Sequence, residues 1–420
     1  MKWKLVPVFA LAVCMLVIGY AQAAPKAYVA EFGANDVAVI DTAHNSIVKQ
    51  IPVPKGAHGL VITPDGSRVF VSSDESSIIT VIDSATDSVV GSIPTGKAPH
   101  GLVASRDGAF IYAAIFGDNQ ILQIDSHTLK VVRTLEAPSP HNLAVTPDGK
   151  TLFAAAQQPG KTGIAEFDLR SGKMVTLVAT EAVPRSLNVS PAGDILSVTL
   201  FDHNTLQVFS TRPLKQTASI EVGEAPHHTI FTANGKLILV ANQSTNDVSI
   251  IDTKLWKVTA KIPVGQKPHW IAPSSDGIYA YVTDEISGQV SVLDLEEKKV
   301  EATIHVEAAP RKIAIQPGVV PEVTMGKTED APEGNHVVVK MQGPPPRFAP
   351  ETVTIEAGTT VEWINSGTKV HTVTGDDGAW DSGSMEPGEK FSHRFDHKGT
   401  FKYYCVPHHD LGMTGTIIVK

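Results

Sequence analysis

Near the C-terminus, Cys405, His408 and Met413 stand at relative positions 0, +3 and +8, and His371 lies upstream in Val370-His371-Thr372-Val373. A thiolate, an imidazole and a thioether so close together form a soft donor set. Thiolate and thioether favour copper, and imidazole suits both of its oxidation states. Two His and one Cys with a weak axial Met is the arrangement of single-electron blue-copper sites. A single loop can supply three of these groups while His371 arrives from a neighbouring strand, which holds the geometry constant through a redox cycle.

A second set of histidines is spread along the chain. His58, His100, His141, His227 and His269 each stand just before an apolar run, and Arg185 and Arg311 hold the same place in two further copies. Sixteen histidines against two cysteines point the same way, towards metal chemistry. Three readings are open. Neutral imidazole is a common metal ligand, so five near one axis could hold a second transition metal. With the two guanidiniums they could hold an anion. A duplicated Pro-His-Gly turn could also carry the histidine with no ligand.

The elements that must position these residues repeat. Asp41, Asp83, Asp125, Asp168, Asp252 and Asp294, with Ser210 in the vacant slot, are spaced by 42 or 43 residues. The His/Arg marker agrees with them on seven copies, which identifies a repeat architecture. Each copy holds four short apolar runs, as in 101–105, 110–115, 121–124 and 131–135, separated by turns such as Pro64-Asp65-Gly66. Four strands per period read as one propeller blade. The first blade begins on a second-strand pattern, Ala27–Glu31, and a spare first strand, Lys312–Gln316, stands at the far end. Pairing the two would close the ring and remove its open edges. First strands line a propeller's channel, so the seven marker residues should converge near the axis.

Residues 317–335 lose the repeat and gain Pro, Gly and charge, as a linker does. Residues 336–420 return to β-pattern and carry the copper-type residues. At the other end, Lys2 and Lys4, an apolar run to Gly19 and Ala21-Gln22-Ala23 have the layout of a secretory signal over 1–23. Its removal takes two lysines and no acid, lowering the net charge from −9 to −11. It also takes Cys14 and leaves Cys405 without a disulfide partner. With 42% apolar and 19% charged residues the chain is globular, and no basic block suggests nucleic acid. No apolar stretch besides the leader suggests a membrane span.

The repeats, as in Ala280-Tyr281-Val282-Thr283 and Ser291-Val292-Leu293-Asp294, resemble the YVTN family of extracytoplasmic β-propellers over about residues 25–316. The C-terminal segment resembles the plastocyanin/pseudoazurin branch of the cupredoxins. That likeness rests on Cys405-x2-His408-x4-Met413, on Arg347-Phe348-Ala349-Pro350-Glu351-Thr352-Val353 and on Phe401-Lys402-Tyr403-Tyr404-Cys405. The resemblance implies an all-β chain: a seven-bladed propeller over 24–316 and a Greek-key cupredoxin sandwich over 336–420. It implies one type 1 copper held by His371, Cys405, His408 and Met413. Thr372 stands where many relatives have Asn, so hydrogen bonding around the ligands should differ; His409 reads as a surface residue. The expected function is an exported, periplasmic or secreted electron carrier with a redox partner protein and the propeller as its platform. An oxidoreductase with a second metal in the channel and a non-redox copper-supply protein are the alternatives.

Overall fold

The computed structural model describes residues 25–275, 277–317, 336–342, 346–367, 369–376 and 380–420. The leader over 1–23 and all but the first residue of the linker over 317–335 lie outside them.

Seven four-stranded antiparallel sheets occupy the first 315 residues, followed by two four-stranded sheets from His336 onwards. Within a blade, burial falls from the inside out. In the sheet built from Ala57–Ile62, Arg68–Ser73, Ile78–Asp83 and Ser88–Pro94, the first three strands are largely buried and the fourth mostly exposed. The middle strands are β-branched, continuous apolar runs because each blade packs against a neighbour on both faces. Seven hydrophobic clusters each join two adjacent blades and together run round the whole ring.

The ring closes as the strand patterns require. Lys26–Glu31 pairs antiparallel with Pro310–Ile315, with Tyr28 opposite Ala314 and Val29 opposite Ile313. The C-terminal strand starts two residues earlier than its apolar pattern indicates, and Gln316 N still donates to Lys26 O at 2.8 Å. The repeated aspartates turn out to be turn-formers. Asp83 Oδ1 accepts from Thr86 N at 2.9 Å, Asp125 Oδ1 from Thr128 N at 2.7 Å and Asp168 Oδ1 from Ser171 N at 2.7 Å. Each satisfies backbone donors in the hairpin between third and fourth strands.

The C-terminal sheets are Arg347–Ala349, His336–Gln342, Thr359–Asn365, Lys390–Phe395 and, facing them, Thr352–Ile355, Thr414–Val419, Gly399–Tyr404, Thr374–Gly375. Parallel pairings of His336–Gln342 with Thr359–Asn365 and of Thr352–Ile355 with Thr414–Val419 mark the Greek-key sandwich. Trp363, Tyr403, Phe348, Cys405 and Met413 share its one core. No helix among the described residues is long and apolar enough to cross a membrane.

Candidate metal centre

His371 and Cys405 come from neighbouring segments of one sheet, since Thr374 pairs with Tyr404. The loop before His371 is pinned by Asn365, fully buried, whose Nδ2 donates to Lys369 O at 2.9 Å and to Met385 O at 2.8 Å. His371 and Met385 exchange backbone hydrogen bonds of 3.1 and 2.8 Å. Cys405 ends the strand Gly399–Tyr404, and the chain turns at once through Val406–Leu411 to Gly412. Gly412 has φ of 82°, a left-handed conformation that a side chain would strain. Three backbone bonds draw the loop tight: Cys405 N to Met413 O at 3.1 Å, His408 N to Cys405 O at 3.1 Å and Met413 N to His408 O at 3.2 Å.

The result is a compact donor set. Cys405 Sγ lies 3.2 Å from His408 Nδ1 and 3.6 Å from His371 Nδ1, and the three ligand atoms lie within 4.8 Å of one another. Cys405 and Met413 are fully buried, His371 is 1% exposed, and His408 alone is half-buried. Burial pushes the Cys405 thiol up, against the Thr372 backbone N–H that donates to its sulfur at 3.3 Å. Burial, aided by His408, lowers His371 to about 4, and burial followed by the Lys369 charge lowers His408 as well. Both imidazoles are therefore neutral at pH 7, with lone pairs free to bind a cation. The donor set fits copper: two imidazole nitrogens, one thiolate and a buried thioether beside them.

Thr372 has a definite place in this arrangement. Its hydroxyl accepts the Val406 N–H at 2.8 Å, so the His371 loop and the Cys405 loop are tied together beside the sulfur. Thr372 Oγ1 also meets Thr374 Oγ1 at 3.2 Å, and Thr374 donates to Asp381 at 3.1 Å. His409 is exposed, edge-on to Tyr404 at 4.8 Å. Its neighbour His408 already fills the space near the sulfur.

The propeller histidines also converge. Ring centroids are 3.9 Å apart for His58 and His100, 4.0 Å for His100 and His141, and 4.1 Å for His227 and His269. The gaps at Arg185 and Arg311 are wider, 6.3 Å between His141 and His227 and 5.8 Å between His269 and His58. Four rings are locked to the next blade, with Nδ1 donating to the carbonyls of His141, Arg185, His269 and Arg311 at 2.8–3.0 Å. A carbonyl only accepts, so Nδ1 carries the proton and Nε2 keeps its lone pair. Burial drives His100 down to about 4 and His227 to about 3, and holds His58, His141 and His269 well below the usual range.

The arginines pack against aromatic rings at the edge of the histidine ring, and Arg311 also meets His269 Nε2 at 3.4 Å. Arg185 lies over Phe201 at 4.9 Å and Arg311 over Phe32 at 4.6 Å, and Arg311 pairs with Glu285 at 2.9 Å. Beneath the histidines, Trp270 and the buried Lys312 close the channel. Lys312 Nζ donates to Leu102 O at 3.2 Å and sits 4.2 Å from the Trp270 ring. Burial lowers this amine to about 7. Among the described residues, three such ligand atoms gather within 4.8 Å only at His371, Cys405 and His408. The ring is thus a real convergence, though its nitrogens do not gather as tightly as the three ligand atoms at Cys405. The Glu285 pairing, Lys312 and the Thr372 tie carry no repeat or ligand spacing that would expose them in the sequence.

Fold and site together define a seven-bladed β-propeller joined to a cupredoxin with a soft-metal centre. Residues 335–420 match the family of copper binding proteins, plastocyanin/azurin, and residues 62–272, half of the chain, match the cytochrome D1 heme domain. The chain belongs to both families, to the first through its C-terminal domain and to the second through its propeller. The family name matched by the propeller thus differs from the YVTN resemblance, while the fold agrees. Plastocyanin of Scenedesmus fuscus is 39% identical over 84 residues, 17% of this chain and 86% of that protein. Chloroplastic plastocyanin of Tetradesmus obliquus is 36% identical over 84 residues, 58% of its length. Hydrazine synthase of Kuenenia stuttgartiensis superposes with a TM-score of 0.58 at 21% identity, over 62% of this chain and 89% of that one. A functionally unknown protein from Desulfotomaculum acetoxidans gives 0.63 at 15% identity, over 70% and 99%. These two share the fold.

Proposed function

We propose that the protein is an exported electron carrier that passes single electrons through a mononuclear copper held by His371, Cys405, His408 and Met413. The convergence of Cys405 Sγ with two neutral imidazole nitrogens in an otherwise apolar core carries this reading. Copper bound there would supply a one-electron couple. The chain does the rest: Thr372 N–H steadies the sulfur, Asn365 fixes the His371 loop, and Trp363, Phe348 and Tyr403 keep water out. His408 is the ligand nearest solvent, and exposed Val370 and Val406 beside it form an apolar collar against which a redox partner would dock. The secretory layout of residues 1–23 supports export, and the propeller then serves as platform for the partner or a substrate.

The heme named in the propeller family's description does not fit among the histidines. The enclosed space they line is about 10 Å³, room for one water molecule. No second group of three ligand atoms gathers within 4.8 Å among the described residues, which favours neither a second metal nor an oxidoreductase built on one. The test is spectroscopic. Copper-loaded full-length protein should be intensely blue from charge transfer between the Cys405 thiolate and the metal, and Cys405→Ser should abolish the colour. A colourless, copper-loaded wild type would sink the assignment.

A further inference from the structure

Two adjacent blades of the propeller carry the same small polar motif where the second strand turns into the third. In one blade Asn242 Nδ2 donates to Asp247 at 2.6 Å and to Ser249 Oγ at 2.9 Å. In the next, Asp284 accepts from Gln289 at 3.1 Å and from Ser291 at 2.7 Å. Each is an acid set against an amide, with a serine as second partner.

The blade that closes the ring breaks this pattern. Glu31 and Asp36 face each other across its second and third strands, and Ala38 stands where the other two blades have serine. The amide and serine of those two blades are both missing at the matching positions, and the Gln50 amide meets Glu31 from the fourth strand instead. The two carboxyls are within hydrogen-bond reach, and the Gln50 side chain lies against Glu31. Glu31 is fully buried; its Oε1 accepts from Glu307 N, and its Oε2 has no partner among the described residues. Asp36 Oδ1 and Gln50 Oε1 are also buried and unpartnered, and neither acid forms a salt bridge among the described residues. Two carboxylates in such a place cannot both stay ionised without a counter-charge, and burial with Asp36 beside it pushes Glu31 up to about 8. The unpartnered Gln50 carbonyl is an acceptor that a proton shared between the two acids does not satisfy.

We propose that Glu31, Asp36 and Gln50 bind a hard divalent cation of the calcium class at the blade where the propeller's first and last strands meet. Oxygen-only donors with mixed carboxylate and amide character suit calcium, and Asp36 and Gln50 are half-buried, so waters can complete its coordination sphere from that side. The ion would lock the second strand to the third and, through Glu31 and Glu307, to the C-terminal segment that closes the ring.

The probe is calcium chloride added to the full-length, chelator-treated protein, followed by thermal unfolding of the propeller. Wild type should gain about 5 °C when free calcium is about 100-fold above its Kd. Asp36→Asn, which rebuilds the acid–amide pair of the two compared blades, should fold, melt higher than wild type without calcium, and lose the calcium response. Glu31→Gln should lose it too. No response of wild type to calcium, magnesium or manganese would overturn the site and leave a shared proton. A calcium response that survives both substitutions would place the ion elsewhere, and overturn it equally.

Discussion

Thr372 illustrates how one side chain can join two ligand loops. Its hydroxyl accepts the Val406 N–H, and its own N–H donates to Cys405 Sγ. Thr372→Val keeps shape and backbone but strands the Val406 donor, which should cost the C-terminal domain about 1–3 kcal/mol and shift the reduction potential. Thr372→Ser should behave as wild type. Denaturant midpoints and voltammetry of the three proteins check this, and equal midpoints for Val and Ser would show that the tie contributes nothing. Met413 is held by its backbone as well as by burial, so Met413→Gln should retain copper and move the potential. Complete loss of copper in that variant would mean the thioether bears more of the binding than a weak axial contact does.

At the scale of elements, the first strands of the blades impose a shared environment on their histidines. Four of the five rings are buried and His100 is half-buried, most donate Nδ1–H to the next blade, and Arg311 donates to His269 Nε2 at 3.4 Å. The folded pKa values therefore lie below the unfolded value near 6.5, with His100 about 4 and His227 about 3. Between those limits the unfolded chain binds protons that the folded chain refuses. Stability should thus be full above about pH 6.5 and fall as pH drops towards 4, by about 1.4 kcal/mol per pH unit for each proton of difference. Urea midpoints from pH 7.5 to 4.5 measure the slope. Replacing His100 and His227 together by Asn should flatten it; an unchanged slope would place the proton uptake elsewhere.

For the whole molecule, stability rests on closure. Each inter-blade cluster needs the next, and the last joins Val29 and Ile40 to Ile304 and Ile313 across the two ends of the propeller. A chain ending at residue 335 keeps all seven blades and should melt near the propeller transition of the full protein. Removing residues 310–335 takes away the inner strand of the closing blade, exposes the edge of Lys26–Glu31 and should lower the melting temperature by well over 10 °C. Calorimetry of the two truncations decides the matter, since equal transitions would contradict closure through that strand.

The sequence alone determined the all-β class, the seven copies, the closing strand and the four copper-type residues. These are properties of local order: a period of about 42 residues and a loop spacing survive any uncertainty about how elements pack. It also placed five histidines at one blade position. Only the tertiary structure decided how far apart their rings stand, because ring width depends on packing between blades rather than on any one repeat. Thr372 reaching Val406, Lys312 reaching Leu102 and Glu31 facing Asp36 all arise between distant or non-repeated positions. Such contacts follow from side-chain placement in three dimensions, which neither periodicity nor spacing encodes.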